Sequence, residues 1–283
     1  MKTIKKSAVV AMAVAVALVI SQSPSFAAVD SASAAQLPAS IKKSKVINVG
    51  IDATYRPNEY KDANGKAIGW DVDLFNAVAL KLGVKVNYVI GTFDSIIPAI
   101  KGGKYDVGLS SFTDTKEREA QVDFANYYTA GIQWASPTGK KVNPDAACGL
   151  IVAVQTGTTE VDDLKAKSAA CIKAGKKAIK MLPYDTQDQA NAAVVLGRAN
   201  ALTADSPVTE DAVHQSKGKM QLAGAIYGAA PYGMAVAKGS TLAKAISLAL
   251  TAMYKDGTYM AILNKWGVSA GAIKTFGING ATA

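Results

Sequence analysis

Histidine and cysteine are scarce in this chain: one His and two Cys in 283 residues. The lone histidine, His214, removes most Ser-His-Asp and Cys-His schemes, which need an imidazole beside the nucleophile. No Cys/His cluster has metal-ligand spacing, so neither a metal nor a cofactor is expected. Past Ile20 no apolar run approaches the length of a membrane span. Acidic residues are outnumbered, 22 Asp and Glu against 31 Lys and Arg, for a formal charge of +9. The positive residues are nevertheless dispersed, as at Lys101, Lys104, Lys140, Lys141, Lys173, Lys176 and Lys177, with no aromatic-interleaved basic stripe. That charge reads as solvated surface, and no nucleic-acid partner is expected.

What is present begins with Met1-Lys2-Thr3-Ile4-Lys5-Lys6, an apolar run from Ala8 to Ile20, and small residues up to Ala27-Ala28. A basic start, a short apolar stretch and a small-residue cleavage site make residues 1–28 a secretory signal peptide. The mature protein is expected to be exported, periplasmic or equivalent, and soluble after cleavage. Residues 29–43 are rich in Ala and Ser and read as a flexible leader. The two cysteines, Cys148 and Cys171, would then lie in an oxidising compartment, where an even pair argues for a disulfide; two buried thiols are the alternative.

The remaining chain alternates strand and helix signals, an α/β pattern. Strands are expected at Val46 to Ile51, Val84 to Val89 and Val107 to Ser110, with a helix after Asp71 ended by Gly83 and another over 95–101. A second unit repeats the logic: strand Leu150 to Val154, a helix opening at Thr159, strand Ile179 to Leu182, a helix from Thr186 to Leu196, strand Ala201 to Ala204, and a helix from Pro207. A strand from Tyr232 to Ala237 and two helices, Leu242 to Asp256 and Tyr259 to Trp266, close the pattern. Two such α/β units place their ligand loops at the carboxyl ends of strands, facing a shared cleft.

Two segments carry chemistry. Ser110-Ser111-Phe112-Thr113-Asp114-Thr115-Lys116-Glu117-Arg118 offers hydroxyls, free backbone N–H groups and one guanidinium at a strand end. That set suits a carboxylate, because Arg gives a bidentate fork. Asp205, at the end of Ala201-Leu202-Thr203-Ala204, could accept from an ammonium. Together they describe a site for an amino acid. The plain alternative makes Arg118 a surface helix residue and Asp205 a helix N-cap before Pro207.

The ordered motifs Asp52-Ala53-Thr54-Tyr55, Gly69-Trp70-Asp71-Val72-Asp73-Leu74, Phe93-Asp94-Ser95-Ile96-Ile97-Pro98, Gly103-Lys104-Tyr105-Asp106-Val107, Val152-Ala153-Val154-Gln155-Thr156-Gly157-Thr158-Thr159 and Ala204-Asp205-Ser206-Pro207 extend the match. With the Ser110 to Arg118 segment they make the chain resemble the solute-binding proteins of polar amino-acid ABC transporters, the type II "Venus flytrap" family, from about Val46 to Gly267. The Cys148/Cys171 pair resembles a feature of one subgroup. The resemblance implies two α/β lobes joined by two hinge strands: 44–133 plus 234–270, and 138–229, with hinges near Gln133 to Pro137 and Ala230 to Gly233 and a C-terminal tail at 271–283. It implies a monomer that binds a free amino acid by lobe closure and delivers it to a membrane ABC permease, with no enzymatic activity.

The roles it implies are specific. Arg118 pairs with the ligand carboxylate, helped by Thr113 and Thr159. Asp205 accepts from the ammonium, beside Thr113 and Ser111. Tyr55 and Phe93 flank the side chain, whose tip meets Asp52 and Ser110, while Thr156, Thr158 and Glu160 line the other wall. Arg56 stands where many relatives have Pro and could reach the side-chain pocket. Asp52 favours a basic or polar amino acid and Arg56 an acidic one, so ligand identity stays open with a lean to the former. A dehydratase of the cyclohexadienyl type, with Glu160 as general acid, and ligand presentation to a membrane sensor are the alternatives.

Overall fold

The computed structural model describes residues 29–281; the expected signal peptide, 1–28, lies outside the described residues. The leader expected to be flexible over 29–43 instead forms two short helices, α1 (Ser31–Ala35) and α2 (Ala39–Ser44). Asp30 caps α1 by accepting from the Ser33 N–H at 2.8 Å, and its own N–H donates to the Lys81 carbonyl at 2.8 Å. Leu37 and Ile41 are buried in the main apolar cluster. The Ala/Ser composition that reads as low complexity gives small side chains that let α1 pack closely.

The first unit contains β1 (Val46–Ile51), β2 (Thr54–Tyr55), β3 (Glu59–Lys61), β4 (Ala67–Ile68), α3 (Trp70–Leu82), β5 (Lys85–Ile90), α4 (Phe93–Lys101), β6 (Val107–Gly108) and α5 (Lys116–Glu119). β2, β3 and β4 form a separate small sheet. Asp71, expected as the cap of α3, lies inside its first turn and is buried. Helix α4 begins at Phe93, two residues before the expected start. The second unit contains β7 (Val122–Pro137), β8 (Ile151–Gln155), α6 (Thr159–Lys173), β9 (Lys180–Tyr184), α7 (Gln187–Val195), β10 (Ala201–Asp205) and α8 (Ser206–Gln215). The chain returns through β11 (Met220–Ala237), α9 (Leu242–Lys255) and α10 (Thr258–Trp266).

One eight-stranded sheet runs β5-β1-β6-β11-β7-β10-β8-β9. Each end is a parallel triplet with its first strand in the middle, β5-β1-β6 and β9-β8-β10, so the two halves share one topology. Between them lies the antiparallel ribbon of β7 and β11, whose register shifts at Ala223/Tyr227, Tyr227/Ala230 and Tyr232/Gly233. Ala125 pairs with Met234, whose neighbour Ala235 faces β6, whereas Ile132 to Ala135 pair with β10. The passage between halves therefore falls before Ile132, earlier than the Gln133 to Pro137 hinge expected from sequence.

Apolar residues cover both faces of each half, as parallel sheets require. In the first, Ile47, Val49, Trp70, Phe75 and Tyr259 pack on one side, and Phe93, Ile96, Phe112 and Phe124 on the other. In the second, Val152 and Val154 face Trp134 and Leu164, while Ala153 between them faces Val194 and Leu202. Each large side chain so buried contributes about 1.5–3 kcal/mol. Cys148 and Cys171 are bonded, tying the loop before β8 to the end of α6.

Candidate functional site

Two parallel pairs of strands, β1 with β6 and β8 with β10, run in opposite directions and end at one place. Asp52 follows β1, Ser110 and Ser111 follow β6, Gln155 closes β8, and Asp205 closes β10. Their side chains, with Tyr55, Phe93, Thr113 and Arg118 from the first half and Thr158, Thr159 and Glu160 from the second, line one narrow cavity.

Arg118 sits on the short turn α5, whose cap Thr115 accepts from the Arg118 N–H at 3.2 Å. Its Nη1 donates to the Thr113 carbonyl at 2.8 Å and its Nη2 to the Gly157 carbonyl, in the other half, at 2.9 Å. The guanidinium carbon lies 5.5 Å from the Phe93 ring centre and 5.6 Å from that of Phe112. Arg118 is thus not a free surface residue. Burial pushes its pKa down, and the Glu160 and Asp205 carboxylates oppose that; an arginine keeps its charge in any protein.

Asp205 occupies the N-cap position of α8 but makes no side-chain cap bond. Instead the Tyr55 hydroxyl donates to its Oδ2 at 2.9 Å, and the Asp205 N–H donates to the Tyr55 oxygen at 3.0 Å. Burial pushes its carboxyl well above the ordinary value, and the nearby Glu160 charge adds to this. Glu160, in the first turn of α6, is also raised by burial. Its Oε2 accepts from the Thr159 hydroxyl at 3.4 Å, while its buried Oε1 has no partner. Asp52 is raised by burial too, against three donors: Thr54 Oγ1 to Oδ1 at 2.6 Å, and Phe93 N–H at 3.1 Å and Gln155 Nε2 at 2.8 Å to Oδ2.

Behind the cavity, Ser110 donates to Glu59 Oε1 at 3.3 Å and accepts from the Asp52 N–H at 3.1 Å. Ser111, at φ 51°, lies 3.1 Å from Glu59 Oε2 and accepts from Asn58 Nδ2 at 2.8 Å. Glu59 and the buried Asp71 meet at the Ser111 hydroxyl, 3.1 Å from Glu59 Oε2 and 3.4 Å from Asp71 Oδ2, which also accepts from the Tyr127 hydroxyl at 2.7 Å. Tyr55 and Phe93 both face the cavity; Phe93 also stacks on Phe112, with centroids 4.6 Å apart.

Two expected residues lie elsewhere. Thr156 is one position past the end of β8 and does not line the cavity; its N–H donates to the Tyr184 carbonyl at 2.9 Å. Gln155, not singled out from sequence, takes the wall position. Strand side chains alternate, and nothing in Gln155-Thr156-Gly157 marks which of the first two polar residues faces inward. Arg56 points away: its Nε is 3.1 Å from Asp211 Oδ2 and its guanidinium stacks over Tyr60 at 4.3 Å. An acidic partner and an aromatic face together hold it outside the cavity.

The halves are closed on each other. Tyr55 reaches Asp205, Gln155 reaches Asp52, Arg118 reaches Gly157, and the Gln187 N–H donates to Thr54 Oγ1 at 3.3 Å. Tyr55 also packs against Ala204 and Val208. At the mouth Gly157 has φ 80°, and a Cβ there would stand 3.0 Å from Asp94 Cβ, so only glycine fits without displacement.

Two α/β halves of like topology, closed over a small charged cavity at their strand ends, define a two-lobed ligand-capturing protein. The chain belongs to the bacterial extracellular solute-binding proteins, family 3, whose model matches residues 47–269. It is 38% identical over 248 residues to the arginine-binding protein ArgT of Corynebacterium glutamicum, spanning 87% of this chain and 82% of that one. Among solved structures it resembles an ancestral arginine-binding protein bound to arginine, with 37% identity and a TM-score of 0.73 over 78% of this chain and 98% of that one. It also resembles an ancestral amino acid-binding protein described as a precursor of cyclohexadienyl dehydratase, with 35% identity and a TM-score of 0.72 over 80% and 97%.

Proposed function

We propose that this protein captures an amino acid with a cationic side chain, arginine foremost, and hands it as a monomer to the membrane permease of an ABC importer outside the cytoplasm. The observation that carries this reading is the charge of the cavity: Asp52, Glu160 and Asp205 face a single guanidinium, Arg118. Buried charge is costly unless paired. Arginine brings two positive groups and one negative, and so offsets more of that imbalance than a neutral zwitterion does.

The carboxylate of the ligand meets Arg118 with Thr113 and Thr159 beside it, and the ammonium meets Asp205. The side chain runs between Tyr55 and Phe93 to Asp52 and Gln155. The similarity to arginine-binding proteins supports the same assignment. The lobes act about β7 and β11, and contacts with both lobes favour the closed state because the ligand gains them only there.

A dehydratase reading draws on the unpartnered Glu160 Oε1 and the similarity to a dehydratase precursor. A substrate without an ammonium would leave the buried Asp205 with the Tyr55 hydroxyl but no cationic ligand group, which argues for binding without turnover. The test is calorimetric titration of refolded, ligand-stripped protein with the common amino acids, beside an assay on cyclic carboxylates that lack an ammonium. Binding of arginine, lysine or ornithine well ahead of neutral and acidic amino acids supports the proposal. Turnover of a carboxylate without amino-acid binding overturns it.

A further inference from the structure

Residues 271–283 are expected to be a C-terminal tail, and the family match stops at residue 269. Residues 276–281 instead run back along the start of β7. The Phe276 carbonyl accepts from Ser247 Oγ at 2.6 Å, and the Asn126 N–H donates to the Gly277 carbonyl at 3.0 Å. Asn279 is fastened three ways: its N–H donates to the Phe124 carbonyl at 3.0 Å, its Oδ1 accepts from the Phe124 N–H at 2.8 Å, and its Nδ2 donates to Asp123 Oδ1 at 2.9 Å. Its φ of 56° lies in the left-handed region, which asparagine tolerates better than most residues.

Two further bonds leave the strand and hold residues that flank the Arg118 turn. The Gly280 N–H donates to Asp114 Oδ2 at 2.7 Å, and the Ala281 N–H donates to Glu119 Oε1 at 3.1 Å. Asp114 Oδ2 also accepts from Asn126 Nδ2 at 2.8 Å. A Cβ on Gly280 would stand 2.6 Å from Asn126 Oδ1, so this approach needs glycine. Asp114 separates Thr113, whose carbonyl holds Arg118 Nη1, from Thr115, which caps the turn bearing Arg118. Glu119 follows Arg118 directly. The strap therefore ties both ends of a four-residue turn that has little internal stability of its own.

We infer that the C-terminal strap, residues 276–281, is a positioning element of the ligand site: through Asp114 and Glu119 it fixes the Thr113–Arg118 turn against the ligand carboxylate. This rests on the binding role proposed above. A turn that drifts by a fraction of an ångström loses the two-pronged contact an arginine makes with a carboxylate.

The test uses Asn279→Ala, which unfastens the strap outside the site, and Asp114→Ala beside the conservative Asp114→Asn, whose amide oxygen still accepts from Gly280. Arginine affinity is expected to fall about tenfold in Asn279→Ala and Asp114→Ala and to stay within about threefold of the parent in Asp114→Asn. In an Arg118→Lys background, Asn279→Ala should cause no further loss beyond about twofold, since the strap acts through that side chain. Equal losses in both backgrounds would make the strap a general stabiliser and overturn the inference, as would unchanged affinity in either alanine variant. If the parent binds no amino acid, guanidinium NMR of the ligand-free protein decides instead. Rotation about the Arg118 Nε–Cζ bond should be faster in Asn279→Ala than in the parent, and equal rates overturn the inference.

Discussion

Arg118 spends one N–H on the Thr113 carbonyl and one on the Gly157 carbonyl, leaving three of its five donors for an anion. Because every amino acid carries the same carboxylate, Arg118→Ala should weaken all of them together, by about 3 kcal/mol or roughly a hundredfold. Calorimetry with arginine, lysine and glutamine checks this; a loss confined to one ligand would move Arg118 to the side-chain end. Asp52→Asn should do the opposite and lower basic ligands more than neutral ones. A second residue-scale prediction concerns Glu59 and Asp71. Burial raises both carboxyls; Asp71 raises Glu59 further, whereas Glu59 opposes the rise of Asp71, which is still pushed up from 3.8 to about 7. A raised folded-state pKa means the native protein holds more protons than the unfolded chain. Its stabilising share is complete below the ordinary carboxylate range and lost as pH rises through about 7. Glu59→Gln places a permanent amide donor beside Asp71, so its stability, read from thermal melts, should decline less than the parent's between pH 5 and pH 8, the gap reaching roughly 1–3 kcal/mol. Parallel melting curves for the two proteins would remove Glu59 as the proton carrier. At this scale Arg118 and Asp205 were legible as cavity-lining residues from the segments that carry them, Ser110 to Arg118 and Ala201 to Asp205, and Asp52 from the family resemblance. Gln155 was not, since strand parity at a polar junction carries no mark in the sequence.

Most strands and helices followed from apolar periodicity and glycine stops, as at Gly83 after α3. The ribbon of β7 and β11 did not, apart from Tyr232 to Ala237, because its 16 and 18 residues mix apolar and polar positions and β11 contains Gly224, Gly228 and Pro231. What keeps β11 extended is pairing with a distant strand, and its glycines sit at or beside the register shifts. The N-terminal helices were missed for a related reason: α1 and α2 are too short to stand alone; α1 packs on α9 and α3, and Leu37 and Ile41 join the main apolar cluster. Leu37→Ala should therefore cost about 2–4 kcal/mol in urea unfolding and leave arginine affinity within about twofold of the parent. A cost under about 0.5 kcal/mol would mean that α1 and α2 detach from the lobe in solution.

Closure of the whole molecule depends on contacts that the two lobes can make only with each other. The Tyr55 hydroxyl is the most demanding of them, since it both donates to the Asp205 carboxylate and accepts from the Asp205 N–H. Both groups are buried, so an unmade bond here leaves Asp205 with two unsatisfied polar groups. The ammonium of a ligand can take over the carboxylate, but the N–H has the Tyr55 oxygen as its acceptor, and phenylalanine offers none. Tyr55→Phe should therefore shift ligand-free protein toward the open form and lower the affinity for arginine by the fraction of closed-competent protein lost, about five- to fiftyfold for 1–2.3 kcal/mol. Small-angle scattering reads the first effect as a larger radius of gyration that arginine then shrinks; calorimetry reads the second. If Tyr55→Phe scatters like the parent and binds arginine equally well, the Tyr55–Asp205 bridge does not govern closure. Control would then pass to the polar contacts at Gln155–Asp52 and Arg118–Gly157, which join the same two lobes on either side of the cavity.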